Sequence, residues 1–352
     1  MKSIRYVTNG KGQQEPAPLH STQGLTLRNA NGDINSDATG FQIVIDTLTY
    51  IKKQVTKQKF YEVEFAEYIP LAVGDGAFSQ NILTNLEFSN AADFETGNIN
   101  AGTNNDRLAV ADASVASKTI KVINWAKQVG YSIFDIEQAL QANNWDVIEA
   151  KHRSRKKNWD LGLQKIAFLG SVSDTGVTGL LTNPNCTINT ALITAPISGL
   201  NAANFATFVR TVISTYFTAT NSTQMPTHFQ IPYTDFLGLA GNLVPGTVGT
   251  YPVTMLAYLE EVFKKATMNA NFKIYPLAYG DAANNAAVLG SSGKQCYTLY
   301  NMNSESLRMD VPVDYTVTQP NTVNNFQFQD VAYGQYTGVG VYRNLEVLYF
   351  RY

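Results

Sequence analysis

Charge is what this chain has little of. Asp, Glu, Lys and Arg make up 15% of its 352 residues, well below the roughly 25% of an ordinary soluble domain. A formal net charge of -2 excludes a polycation that coats nucleic acid and an acidic solvating tail. Hydrophobic content is ordinary at 44%, so Asn, Thr, Gln and Ser have taken the place of Lys and Glu. Such a surface is neutral and hydrogen-bonding. It suits faces that meet other protein, and it suits a secreted protein as well. Cysteine is scarce too. Cys186 and Cys296 have no CxxC spacing, which excludes a zinc site and a disulfide framework; one bridge between them stays open, and two buried free thiols are the preferred reading. No run approaches the roughly 18 apolar residues of a membrane span. The opening MKSIRYVTNGKGQQEPAPLH has no apolar core of a secretory signal, so synthesis in the cytoplasm is expected.

Catalytic signatures are missing as well. His20, His152 and His228 stand in no metal-binding spacing, and HExxH and GxSxG do not occur. GSSGK (290–294) has Val288 where a phosphate loop needs its first glycine. Glu260 and Glu261 read as the solvated edge of a helix. The expectation is a protein that is not an enzyme and holds no cofactor or metal. At 352 residues the chain has room for about one to three domains, and it can bury a core without disulfide or metal.

What is there is an ordered series of parts. Residues 1–38 are rich in Gly, Asn, Gln, Ser and Pro and read as an extended or disordered arm. Phe41, Val44, Leu48, Ile51 and Val55 recur at helical spacing. FYEVEFAEYIPL (60–71) alternates like a strand. Two extended arms, 78–94 and 107–120, flank the Gly/Asn-rich tip ETGNINAGTNND (95–106) and predict a long hairpin. KVINWAKQV (121–129) reads as a strand returning to the body. Ser132 and Asp135 form a capping-box variant that opens a helix, and Asn144 is placed to cap the next.

That next helix, about 145–169, spans roughly 37 Å at about 1.5 Å per residue. Trp145, Ile148, His152, Arg155, Trp159, Leu163 and Ile166 fall on one stripe. Its apolar members, Trp145, Ile148, Trp159, Leu163 and Ile166, are expected to anchor the helix. Between the anchors Lys151, Arg153, Arg155, Lys156 and Lys157 fan round the axis as a basic collar. Two readings stand open for the collar: a solvated or inter-subunit waist, or a surface facing nucleic acid that touches phosphates without reading bases.

From about 190 to 300 the pattern is α/β. Helices are expected at 200–217 (capped by Asn201), 234–241 and 254–266, with strands at 227–233, 271–279, 286–290 and 294–302. The tail from 307 reads as β throughout, and GVGVYRNLEVLYF (338–350) as a final strand pair.

This order of parts, with the AFLG–GLLTNPN junction after the long helix and the ending GVGVYRNLEVLY, resembles the major capsid proteins of tailed phages with the Hong Kong 97-type fold, which encapsulin shells share. The resemblance covers about residues 40–352. It implies an α+β chain: an N-terminal arm and short helix (1–77), an extended hairpin loop lying over a neighbouring subunit (78–118), a peripheral domain with the long spine helix (119–189), an axial domain (190–302) and a return to the peripheral domain (303–352). It implies self-assembly into pentamers and hexamers of an icosahedral shell around double-stranded DNA, in a virion assembled in the host cytoplasm. Implied partners are other copies of the chain, a portal, a separate scaffold or decoration protein, and packaged DNA held by non-specific contact, with no membrane. The founding member crosslinks its shell through a loop lysine. Here the tip 95–106 has none, and Lys118 is the one lysine of 78–118, so no isopeptide crosslinking is expected. No charged helical scaffold segment precedes the arm, so the scaffold is expected to be separate or already removed. The alternatives are an encapsulin-like compartment and, from another class, a secreted carbohydrate-binding or hydrolytic protein.

Overall fold

The computed structural model describes residues 6–8, 14–16, 59–89, 113–141, 147–244, 253–290, 292–324 and 326–352. Residues 1–59 form a unit of their own. In it β1 (Tyr6–Thr8) pairs antiparallel with β2 (Gln14–Pro16). The helix expected at 41–55 lies outside the described residues, as do the hairpin tip 95–106 and Asn144.

Residues 60–352 form the second unit. The predicted hairpin is present: β4 (Asn81–Ser89) pairs antiparallel with β5 (Ala113–Ser132), from Asn81↔Lys121 to Ser89↔Ala113. One expectation needs correcting here. The outer arm and the returning strand are not two strands but one, 20 residues long, or about 65 Å at ~3.3 Å per residue. The inner half of β5 pairs with β13 (Gln327–Thr337), from Val122↔Thr337 to Ser132↔Gln327. β11 (Val313–Val317) and β12 (Asn321–Thr322) complete this sheet against β13.

At the end of β5 the capping box closes as its spacing predicts. Ser132 N donates to Asp135 Oδ2 at 2.9 Å and Asp135 N to Ser132 Oγ at 3.2 Å, opening α1 (Ile133–Gln141). The long helix α2 (Val147–Leu169) follows. Its C-terminus explains the glycine junction. Gly170 has φ +73°, and a Cβ there would lie 2.4 Å from Val177 O, so only glycine fits this left-handed cap. Leu180 N and Leu181 N then donate to Ala167 O at 2.8 Å and Phe168 O at 2.9 Å, satisfying last-turn carbonyls that a helix leaves open.

The second sheet has the order β6 (Thr187–Asn189), β15 (Val347–Arg351), β9 (Cys296–Tyr300), β7 (His228–Pro232), β8 (Lys273–Leu277). Over one face lie α3 (Ala202–Ala219), α4 (Tyr233–Gly241) and α5 (Met255–Ala266). Asn201 caps α3 by accepting from Asn204 N at 2.9 Å, and Thr254 caps α5 through Ala257 N at 3.2 Å, each satisfying an orphan donor. Phe205, Phe208, Val212 and Tyr216 bury one stripe of α3 among Phe229, Ile231, Leu259 and Phe263.

Four expectations change. AAVLG is no strand: it lies in α6 (Ala282–Leu289) and the glycine after it, because a short apolar run does not distinguish the two states and alanine favours helix. FYEVEFAEYIPL forms a 3-10 turn at Phe65–Glu67, and its strand, β3 (Leu71–Val73), starts at the last residue of that stretch. The tail is not all strand, since Asn344–Glu346 is a 3-10 turn. The two last strands are not paired with each other. β14 (Val339–Val341) joins β10 (Leu307–Val311) and β3 in a three-stranded sheet, while β15 lies in the five-stranded one. β15 is buried on both faces. Val347 and Tyr349 pack into the core around α2, and Leu348 and Phe350 into the core around α3 and α5. A central strand covered on both sides reads as a continuous apolar run.

Candidate functional site

Among the described residues no group of His, Cys, Asp and Glu could hold a metal ion, and no helix is long and apolar enough to cross a membrane. The candidate sites are therefore surfaces: the waist of α2 and the projecting hairpin.

Helix α2 lies on the inner half of the β5–β13 sheet. Trp159 is 3% exposed and Leu163 7%; Ile148 and Ile166 are half-buried, and Trp145 lies outside the described residues. Trp159 meets Trp125 of β5 at 5.0 Å between ring centroids and packs the end of its indole against Gly334 of β13, where a Cβ would come within 2.5 Å of the ring. Gln164, 3% exposed, ties down the segment before the hairpin. It accepts from Val63 N at 3.0 Å and donates to Tyr61 O and to Tyr279 OH, each at 3.1 Å. One side chain thus holds the backbone of this segment, while its alternation reflects Val63 and Phe65 packing on the core with Glu62 and Glu64 exposed between them.

The structure separates the collar residues. Arg155 is 2% exposed and belongs to the buried stripe, not to an exposed collar. Its Nη2 lies 2.5 Å from Asp330 Oδ2, its Nη1 donates to Asp330 O at 3.0 Å, and its Nε donates to Tyr315 OH at 2.9 Å. Asp330 is itself 2% exposed. His152 closes the group, with Nδ1 3.2 Å from Arg155 Nη2. A buried guanidinium needs such a set of acceptors, because removing it from water unpaired costs several kcal/mol, roughly. The other four cations stay at the surface, and each has an acidic neighbour: Lys151 with Asp135 at 3.6 Å, Arg153 with Glu149, Lys156 with Asp160 at 3.4 Å, and Lys157 with Glu62. The waist is locally neutral. Sequence spacing could place Arg155 on the buried stripe; it could not name Asp330, which arrives from a strand 175 residues away.

The hairpin is held at its base and open beyond it. Lys118 Nζ donates to Val341 O, and burial lowers its pKa. On the root loop before β4, Phe78 has φ +63° and is 74% exposed, and its N–H donates to Gln335 Oε1 at 2.7 Å. Level with Lys118 on the ribbon, Leu83 is 62% exposed, and farther out Val115 is 68% exposed. Among the described residues, none buries these two apolar side chains.

The architecture and sequence were compared with known proteins. A family model described as major capsid protein matches residues 97–352. Similar solved structures include the capsid of Myoviridae phage XM1, at 14% identity over 87% of this chain and 97% of that one, with a TM-score of 0.68. Another comes from Mycobacterium phage Ogopogo, at 10% identity over 89% and 98%, with a TM-score of 0.55. A third is the capsid of cyanophage P-SCSP1u, at 11% identity over 87% and 93%, with a TM-score of 0.53. A search of curated protein sequences finds no match.

Proposed function

This chain belongs to the major capsid protein family, and from that premise we propose that it assembles with copies of itself into pentamers and hexamers of an icosahedral shell around double-stranded DNA. It is a structural protein of a capsid shell with the Hong Kong 97-type fold. The family match over residues 97–352 carries the reading. The hairpin supports it: a chain working alone gains nothing from holding Leu83 and Val115 in water on a projecting ribbon, whereas a neighbour can cover them.

In this reading 1–77 is the N-terminal arm and 78–118 the loop that reaches over the adjacent subunit. Residues 119–189 and 303–352 make the peripheral domain with α2 as spine, and 190–302 the axial domain. β15 is the seam, since its two faces serve both cores. A portal at one vertex and a separate scaffold or decoration protein complete the partners, and assembly takes place in the host cytoplasm. The waist of α2 is read as a solvated, self-neutralised stretch and not the DNA contact, because phosphates there would compete with carboxylates already paired to each cation. An encapsulin-like compartment is not favoured, since the family is that of capsid proteins. The family is likewise structural, not an enzyme class, and no catalytic residue is assigned.

Negative-stain microscopy of the expressed full chain tests the reading. Shells or five- and six-membered rings are expected, and particles from infected cells should protect DNA from nuclease. A compact monomer under every assembly condition would refute it.

A further inference from the structure

The helical layer over the five-stranded sheet holds two features that match each other and stay exposed among the described residues. Helix α5 packs against both α3 and α4, so α3 and α4 form the two borders of the layer. α4 turns Asp235 and Leu239 inward. Asp235 accepts from Ile197 N at 2.9 Å, Ser198 N at 3.0 Å and Tyr297 OH at 2.9 Å, which fixes the rotation of the helix about its axis. The opposite side therefore faces water. It presents Tyr233 (43% exposed) and, one turn on, Leu237 (55%), followed by Leu243 (39%). From Tyr233 to Leu243 the one charged residue is Asp235, and it is buried, so this outward stripe is apolar and uncharged.

At the other border α3 and α5 leave a groove of about 450 Å³ between them. Val209, Ile213 and Phe217 of α3 face Tyr258 and Val262 of α5 across it. Arg210 is the one charged residue in its lining. It is exposed and has no ion pair or hydrogen bond to any described residue.

Resting on the shell reading above, we infer that the Tyr233–Leu237 stripe of α4 seats in the α3/α5 groove of the next copy and makes the head-to-tail contact of the ring. Stripe and groove are different patches on one compact unit. A contact between them is heterologous, and such contacts close into rings when the rotation allows. An apolar helix face with anchors four residues apart, laid in an apolar groove, is a recurrent recognition mode. Charge does not oppose it: the stripe brings no ionised side chain against Arg210, the one charged residue of the groove lining. A second copy is the fitting occupant because both halves of the contact are present on the chain, and a shell subunit meets its own copies before any other partner.

Three variants of the full chain test this. Leu237→Asp puts a charge on the stripe. Ser214→Trp, at an exposed position in the groove lining, fills the groove. Each is expected to lower particle yield at least about tenfold, since a few central anchors carry most of the energy of such a contact. The soluble variant should keep the wild-type circular dichroism and thermal midpoint. The double variant Leu237→Cys with Ser214→Cys is expected to give a reducible ladder of multimers when assembled particles are oxidised. Either cysteine alone should give none, because Cys186 and Cys296 are buried. Particle yields within about twofold of wild type for both single variants, with no ladder from the double variant, would overturn the contact and leave the shell reading standing. A wild-type chain that forms neither ring nor shell would overturn the shell reading, and this contact with it.

Discussion

Arg155 and Asp330 are each 2% exposed and lie 2.5 Å apart, so each is the other's main compensation for leaving water. Replacing Arg155 with Met strands the carboxylate and should cost about 3–5 kcal/mol in urea unfolding. Replacing both, Arg155→Met with Asp330→Leu, should cost less than either single change, because no lone buried charge remains. A double variant less stable than both singles would contradict this. His228 presents the opposite case, a buried group kept neutral. It is 8% exposed and lies between Tyr275 and Tyr300 at 5.8 and 5.5 Å. Burial, with Lys273 adding repulsion, pushes its pKa down to about 4. The unfolded chain takes up this proton near pH 6.5, whereas the folded chain does so near 4. Stability linked to His228 is therefore intact above about 6.5 and is lost as pH falls towards 4, by roughly 3 kcal/mol in all. Chemical denaturation at pH 7 and pH 5 should show a smaller loss for His228→Gln than for wild type; equal losses would rule out this histidine as the source.

An element can be anchored and still present a quiet surface, and α2 does both. Trp159, Leu163 and Arg155 tie it to the sheet, while Arg153, Lys156 and Lys157 answer acids close by. Exposed pairs of this sort contribute little. Neutralising all three to Gln should move the thermal midpoint by less than about 5 °C and leave both empty-shell assembly and nuclease-protected DNA unchanged. Loss of assembly would place these cations at a subunit contact, and loss of filled particles alone would place them on DNA. Either result would contradict the self-neutralised waist. The hairpin is an element of another kind. β5 runs through its base without a break, so the projecting ribbon is a continuation of the body's sheet and not an appended loop. The two extended arms were legible from the Gly/Asn-rich stretch between them. The continuity was not, because no single residue marks where β5 exchanges one partner strand for another.

At the scale of the molecule, two cores share strands. β9 and β15 stand side by side, and the faces of β15 are divided between the cores. Unfolding one core exposes the other's sheet, so the two are expected to melt together. The buried thiols report on this. Burial raises the pKa of both Cys186 and Cys296 to about 11, and a protonated, enclosed thiol is inert. Both should resist labelling in the native chain and become reactive at one urea concentration. Distinct midpoints for the two cysteines would show that the cores unfold separately.

The sequence by itself determined the local elements: the Ser132–Asp135 capping box, the buried stripe of α3 and the glycine stop after α2. Each is decided by contacts within a few turns of chain, so spacing alone carries the information. The order of these elements also points to the family. Tertiary structure alone decided that the last strand leaves its neighbour for another sheet and that one strand runs unbroken from the hairpin into the body. It also decided which acid meets Arg155. Those outcomes depend on which surfaces remain to be buried once the elements form, and partners more than a hundred residues apart leave no mark on one another's local sequence.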